Sequence, residues 1–168
     1  MTRQLLFKLI RRQERALDTR LDYLREIAES SPAAFLKFGL IAPLGLHRRF
    51  LPKDAWHVAR VTGAFAEDCG TCVQIAINLA RRDGVPASFL RAIVGDDPDS
   101  LPFSLRDVYL FTRSIAARRD EPELRATLRE RYGADGLIEI GLAAAVSRVI
   151  PTLKRALGHA QSCALLKF

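Results

Sequence analysis

The chain has 168 residues and a mass of 18.7 kDa, which suits one domain with its own apolar core and is too short for two. Apolar residues make up 49% and charged residues 27%, so the composition excludes a disordered or fibrous protein. The net charge of +7 permits binding to nucleic acid, but the arginines alternate with acidic residues instead of forming one tract. We therefore predict no nucleic-acid partner.

Cysteine usage and hydropathy bear on the compartment. Three cysteines are too few for a disulfide scaffold, and the stretch "MTRQLLFKLIRRQERALD" interrupts its apolar residues with charge, unlike a signal peptide. The longest weakly charged stretch, Ala33 to Leu46, contains a lysine, two glycines and a proline. It is shorter than the roughly 20 apolar residues of a membrane span. We expect a cytoplasmic protein without a transmembrane segment.

Apolar residues recur every three or four positions almost throughout, and no stretch alternates with period two. The first stripe runs from Leu6 to Ile27 and predicts one long helix, which "AESSPAA" ends. Further helices are predicted from the same spacing and from their start and stop signals. One spans 33 to 40, the next starts at Pro52, the next ends at Gly84 and the next starts at Pro86. Of the last three, one starts at Ser104, one ends at Gly133, and one runs from Ala134 to about Leu157 with a bend or break at Pro151. The pattern indicates a single all-α domain, residues 1–168, with about seven to eight helices.

The stretch "AEDCGTCVQIAINLARRDGVP", residues 66–86, carries the main chemical motif. On a helical wheel Cys69 and Cys72 lie on the apolar side, one turn apart and within reach of a disulfide. The free N–H groups at a helix N-terminus favour a thiolate, which is the reactive form of cysteine. Three roles fit this spacing: dithiol redox chemistry, half of a zinc site, or packing.

The context of the motif resembles the carboxymuconolactone decarboxylase and alkylhydroperoxidase AhpD-like family. The C-x-x-C opens a buried helix after an amphipathic one, "RRDGVP" ends that helix, and "GLIEIGLAAAVSRV" forms a later apolar helix. The resemblance covers residues 51–157 and leaves 1–50 as an N-terminal helical extension and 158–168 as a tail. It implies an AhpD-like helical bundle that forms a homo-oligomer. It also implies a thiol-dependent peroxidase or dithiol–disulfide oxidoreductase that needs no cofactor or metal, acts on a peroxide or disulfide, and is reset by an external dithiol.

The cysteine pair matches the peroxidase branch of this family, but its proton relay does not. That branch has C-x-x-C-x-x-x-H and a glutamate twelve residues before the first cysteine, and these positions are Ala76 and His57 here. Glu67, just before the motif, and His57 are the candidate substitutes for the relay. The resemblance assigns the peroxide-reactive thiol to Cys72. Exposure at the helix terminus favours Cys69 as the thiol that exchanges with the reductant.

Other functions fit parts of the sequence. His159 and Cys163 lie four residues apart and could complete a Cys3His zinc site with the C-x-x-C pair. A helical interaction module without enzymatic activity and a diverged carboxymuconolactone decarboxylase-like protein are the remaining alternatives. Residues 1–20 carry six basic side chains against two acidic ones, which suits a membrane surface, an acidic partner, or packing across the domain or a neighbouring subunit.

Overall fold

The computed structural model describes residues 3–160 and 166–168, without the side chain of Ala42. These residues form α-helices and one 3-10 turn, Pro98–Ser100, and none of them lies in a strand. The helices are α1 Arg3–Leu17, α2 Asp22–Ser30, α3 Pro32–Phe38, α4 Ile41–Gly45, α5 Lys53–Phe65, α6 Gly70–Arg82, α7 Ala87–Val94, α8 Phe103–Ala116 and α9 Pro122–Ala156. In the described part of the chain, eight of these helices have seven or more residues and α4 is a short turn. The predicted all-α fold of seven to eight helices is confirmed.

The first apolar stripe forms two helices, so the prediction of one long helix was wrong. The chain turns between α1 and α2, where Asp18 has a φ of 50°. The carboxylate of Glu14 accepts the backbone N–H of Leu21 at 3.0 Å and pairs with Arg25 at 2.5 Å. These bonds hold the turn closed, and the apolar residues of α1 and α2 pack into the same cluster.

Two apolar clusters hold the helices together. The larger one packs the five helices α5 through α9 together and includes Leu51, Val58, Ile77, Leu90, Ile93, Tyr109, Leu128 and Ile140. The smaller one joins α1 and α2 to the last turns of α9 and includes Leu6, Ile10, Leu21, Tyr23, Leu24 and Ala28, with Ile150 and Leu157 against them. The N-terminal region therefore packs across the domain, as one of the roles expected for it.

Helix α9 is the element on which the other helices converge. It breaks at Gly133, whose φ of 73° is unfavourable for residues with a side chain, and then continues in helical conformation through Pro151 to Ala156. The predicted end at Gly133 is thus present, whereas Pro151 does not break the helix. Helix α5 lies so close to α9 that a Cβ at Gly63 would come within 2.9 Å of the Ala144 carbonyl oxygen. A small residue at position 63 sets this spacing.

Among the described residues, α9 is also the one helix long and apolar enough to cross a membrane. Length and composition do not separate a membrane span from the core helix of a soluble protein. In this fold α9 carries the buried polar side chains of Glu139 and Lys154. The absence of a transmembrane segment stays a prediction that this helix does not contradict.

Several large apolar side chains are exposed. They lie on α1, from α3 to the start of α5, and on α8 and α9: Leu5, Leu9, Leu36, Leu40, Leu44, Leu46, Phe50, Phe103, Ile138 and Val149. Exposed apolar surface is typical of proteins that associate, but no partner chain is present. The expected homo-oligomer stays a prediction.

The buried carboxylate of Glu139 ties the start of α5 to α9. It is 1% exposed and accepts the backbone N–H groups of Arg49 at 2.6 Å, Phe50 at 3.2 Å and Leu51 at 2.8 Å. Burial alone would raise the pKa of Glu139, but these three N–H donors outweigh it and lower the pKa below its ordinary 4.5. The charged form is therefore the one that the folded state binds.

Glu139→Gln should destabilise the fold by about 3 kcal/mol at pH 7, because an amide cannot accept from all three N–H donors and leaves buried groups unpaired. Since the folded pKa is depressed, the contribution of Glu139 is present above pH 4.5 and is lost as pH falls through the folded pKa. Urea unfolding of both proteins from pH 7 to pH 3 should show the difference in unfolding free energy shrinking below pH 4.5. A difference independent of pH would contradict the role of the charge.

Candidate functional site

The cysteine pair lies at the N-terminus of α6, after a tight link from α5. Asp68 has a φ of 47°, and Cys69 is the N-cap residue in extended conformation. Cys72 follows one turn later, and the two Sγ atoms are 2.6 Å apart with both thiols free. The two sulfurs are thus in direct contact and within reach of a disulfide, whose bond is about 2.05 Å long.

The two thiols differ in their affinity for a proton. Hydrogen bonding from the Cys72 thiol, the nearby Cys72 backbone N–H and the charge of Lys154 together lower the pKa of Cys69 to about 6, against the opposing effect of burial. The same interaction with Cys69, together with burial, raises the pKa of Cys72 above its ordinary value. The Cys69 thiol is therefore the more acidic of the two, and negative charge is favoured on its sulfur.

Lys154 is the cation of this site. It comes from the last turns of α9 and is 8% exposed. Its Nζ atom donates to Oγ1 of Thr71 at 3.2 Å, and Thr71 lies between the two cysteines in the sequence. Its charge lowers the pKa of both thiols. Sequence reasoning missed Lys154 because no spacing relates residue 154 to the motif. The one signal was a lysine among the apolar residues of "RVIPTLKRA".

Tyr23 of α2 completes the polar surroundings and was also missed. The Lys154 Nζ atom lies 5.8 Å from the centroid of the Tyr23 ring. Burial, followed by the charges of Cys72 and Cys69, raises the pKa of Tyr23. Its hydroxyl therefore stays neutral and able to donate a hydrogen bond. The N-terminal region thus contributes a side chain to the site instead of being only an extension.

Cys72 and Lys154 open into a cavity of about 380 Å³ between the N-terminal helices and the main bundle. Most of its wall is apolar and comes from α1, α2, α3, α5, α6 and α9. Cys69 is fully buried, whereas Cys72 is partly exposed and lines the cavity. The expected exposure of Cys69 at the helix terminus was wrong, since Cys69 is buried and Cys72 is the more exposed of the two.

Glu67 binds elsewhere. Its carboxylate accepts from Arg148 Nε at 2.7 Å and from Arg155 Nη1 at 3.3 Å, and its backbone oxygen also accepts from Arg155. In the described residues no hydrogen bond joins Glu67 to either thiol. Glu67 fastens the link before Cys69 to α9, so its side chain is engaged in holding the motif.

His57 likewise has another partner. It is 1% exposed, and its Nε2 atom lies 2.7 Å from Oδ2 of Asp83 at the end of α6. Burial lowers the pKa of His57 more than Asp83 raises it. No hydrogen bond between described residues connects His57 to the cysteines. Ala76, at the position of the family histidine, lines the cavity and supplies no proton donor.

The residues of the hypothetical zinc site, His159 and Cys163 with the cysteine pair, are not brought together in the described part of the chain. His159 Nε2 lies 2.7 Å from Oε2 of Glu26 on α2, and Cys163 lies outside the described residues. Within the ranges 3–160 and 166–168, no group of three or more His, Cys, Asp or Glu side chains is placed to hold a metal ion. The described geometry brings the cysteine pair to Lys154 and Tyr23.

Lys154→Met should raise the pKa of the Cys69 thiol from about 6 by roughly 1 to 3, since it removes the nearby positive charge. Titration of the ultraviolet thiolate absorbance measures this change. Lys154→Arg should keep most of the lowering, and Lys37→Met, on the exposed side of α3, serves as the control. An unchanged titration in Lys154→Met would show that the ammonium does not act on the pair.

We compared the chain with protein families, curated proteins and solved structures. No family model, no curated protein and no solved structure matches the chain.

Proposed function

We propose that the protein is an AhpD-like thiol oxidoreductase whose Cys69 and Cys72 cycle between dithiol and disulfide while reducing a peroxide. The observation that carries this proposal is the contact of the two sulfurs at 2.6 Å, with Lys154 beside them and Cys72 on a cavity wall. A packing role does not require a thiolate stabilised by a buried cation. The reducing cytoplasm expected from the sequence would keep the pair in its dithiol form between cycles.

The unequal thiols define the first step. Cys69 accepts the proton of Cys72 while the Cys72 sulfur attacks the terminal oxygen of a hydroperoxide in the cavity. The O–O bond breaks, the sulfur is oxidised to a sulfenic acid, and the departing alkoxide takes a proton and leaves as an alcohol. Lys154 is placed to donate that proton. Cys69 thus acts as the base that the missing histidine would otherwise supply.

The second step closes the disulfide. The Cys69 sulfur attacks the Cys72 sulfenic acid, the S–S bond forms, and hydroxide leaves and is protonated to water. An external dithiol then reduces the disulfide by thiol–disulfide exchange and is itself oxidised. In total, two thiols and one hydroperoxide give one disulfide, one alcohol and one water.

Mild peroxide should form an intramolecular disulfide between Cys69 and Cys72 that a dithiol reverses, with Cys163 remaining alkylatable. Peptide mapping by mass spectrometry and thiol counts measure this.

Peroxide turnover should be slow, because the general acid–base relay of the family is incomplete, and such a relay raises the rate by a factor of roughly 10² to 10⁴. Cys69→Ser and Cys72→Ser should each remove turnover while circular dichroism stays helical. Unchanged peroxide consumption in both variants would rule out the mechanism, and one bound zinc per chain would instead favour the metal site.

The two cysteines should differ when a sulfenic acid is trapped with a carbon nucleophile. Cys69→Ser cannot form the disulfide and should accumulate a trapped sulfenic acid on Cys72, although slowly, because Cys69 is also the base for the attack. Cys72→Ser should give little trapped product, since the remaining sulfur is buried. Trapping on Cys69 alone would reverse the assignment of the attacking thiol.

A further inference from the structure

The cavity has two cationic side chains besides Lys154: Arg20, which pairs with Asp22 at 3.2 Å, and Arg60. Arg60 of α5 reaches its wall, as do Ala64 of the same helix and Cys72 of α6. The Arg60 guanidinium carbon lies 4.4 Å from the centroid of the Trp56 ring, which holds the side chain by a cation–π contact. The Arg60 side chain thus lines a mostly apolar cavity, with its guanidinium stacked on Trp56.

Arg60 has no anionic partner within the described ranges. No carboxylate there lies within ion-pair distance of it, although other arginines of the chain pair with Glu14, Glu67 or Asp107. Asp83 is the carboxylate whose charge reaches Arg60, and its hydrogen bond goes to His57. Burial lowers the pKa of Arg60, yet a guanidinium stays protonated in proteins. A partly buried cation without an ion-pair partner in the described ranges favours an anionic ligand.

The cavity limits the ligand, because Arg60 and Cys72 both line its volume of about 380 Å³. The rest of its wall is mostly apolar and includes Ala64, Ile75 and Ala76. A ligand that contacts both Arg60 and Cys72 therefore needs an apolar body of modest size between its two polar ends.

We infer that the cavity binds a medium-chain fatty-acid hydroperoxide, with its carboxylate on Arg60 and its peroxide group at Cys72. The bidentate donors of a guanidinium match a carboxylate, and the apolar wall matches an acyl chain. The peroxide end of this inference rests on the proposed function, whereas the carboxylate end rests on Arg60 and the cavity alone.

The binding test uses decanoate, which has the carboxylate and the chain but no peroxide. Isothermal titration of the reduced, delipidated protein should show one site. Arg60→Met should weaken decanoate binding at least 10-fold, and Arg60→Lys should weaken it less. Arg81→Gln, an exposed arginine on α6, is the matched control and should bind like the unaltered protein. No binding of decanoate, or equal affinity in Arg60→Met, would overturn the inference.

The turnover test compares a fatty-acid hydroperoxide with its methyl ester, which keeps the chain and the peroxide but removes the charge. The unaltered protein should show a kcat/KM at least 10-fold higher for the acid, and Arg60→Met should lose this preference. The ester comparison needs no variant, so it remains decisive if Arg60→Met misfolds. Equal turnover of acid and ester would overturn the inference and leave the peroxidase proposal standing. Decanoate binding that depends on Arg60, without turnover of either peroxide, would support the carboxylate site and contradict the peroxidase.

Discussion

The arrangement of the molecule depends on one buried carboxylate. Glu139 accepts three consecutive backbone N–H groups just before α5 and so fixes where that helix begins relative to α9. The direction of α5 then determines where Arg60 lies, and the short link after it determines where α6 starts. The same contact also sets the point at which the N-terminal region enters the main bundle. A polar interaction far from the sulfurs thus positions both walls of the cavity.

Charge pairs between α9 and the motif act on two levels. Arg148 and Arg155 bind Glu67 and hold the link in front of the cysteines, while Lys154, from the same turns of α9, lies beside the thiols. Mechanical attachment and chemical activation therefore come from one short segment of α9. Glu67 and Lys154 have separate roles, because the carboxylate of Glu67 forms its ion pairs with Arg148 and Arg155.

The sequence predicted the helical class, the ends of α6 and the side-by-side cysteines, because these follow from local periodicity and from helix geometry. It failed at the turn after Leu17, where Glu14 closes the chain without a glycine or proline. It did not predict the partners of Glu67 and His57, because tertiary packing brings Arg148 and Asp83 to them. Lys154 and Tyr23 come from opposite ends of the chain, and no one-dimensional pattern brings them together. The cavity itself arises from how separate helices pack.

The lowered pKa of the Cys69 thiol has a consequence for the redox equilibrium of the pair in the proposed cycle. Lys154 stabilises a negative charge that exists only in the dithiol form and disappears when the disulfide closes. Oxidation leaves the ammonium without that neighbour in a largely buried place, so the oxidised protein loses a favourable interaction that the reduced one retains. The equilibrium is displaced towards the reduced state. In the proposed cycle, a Cys69–Cys72 disulfide would therefore be reduced readily by an incoming dithiol, in contrast to the stable disulfides of secreted proteins.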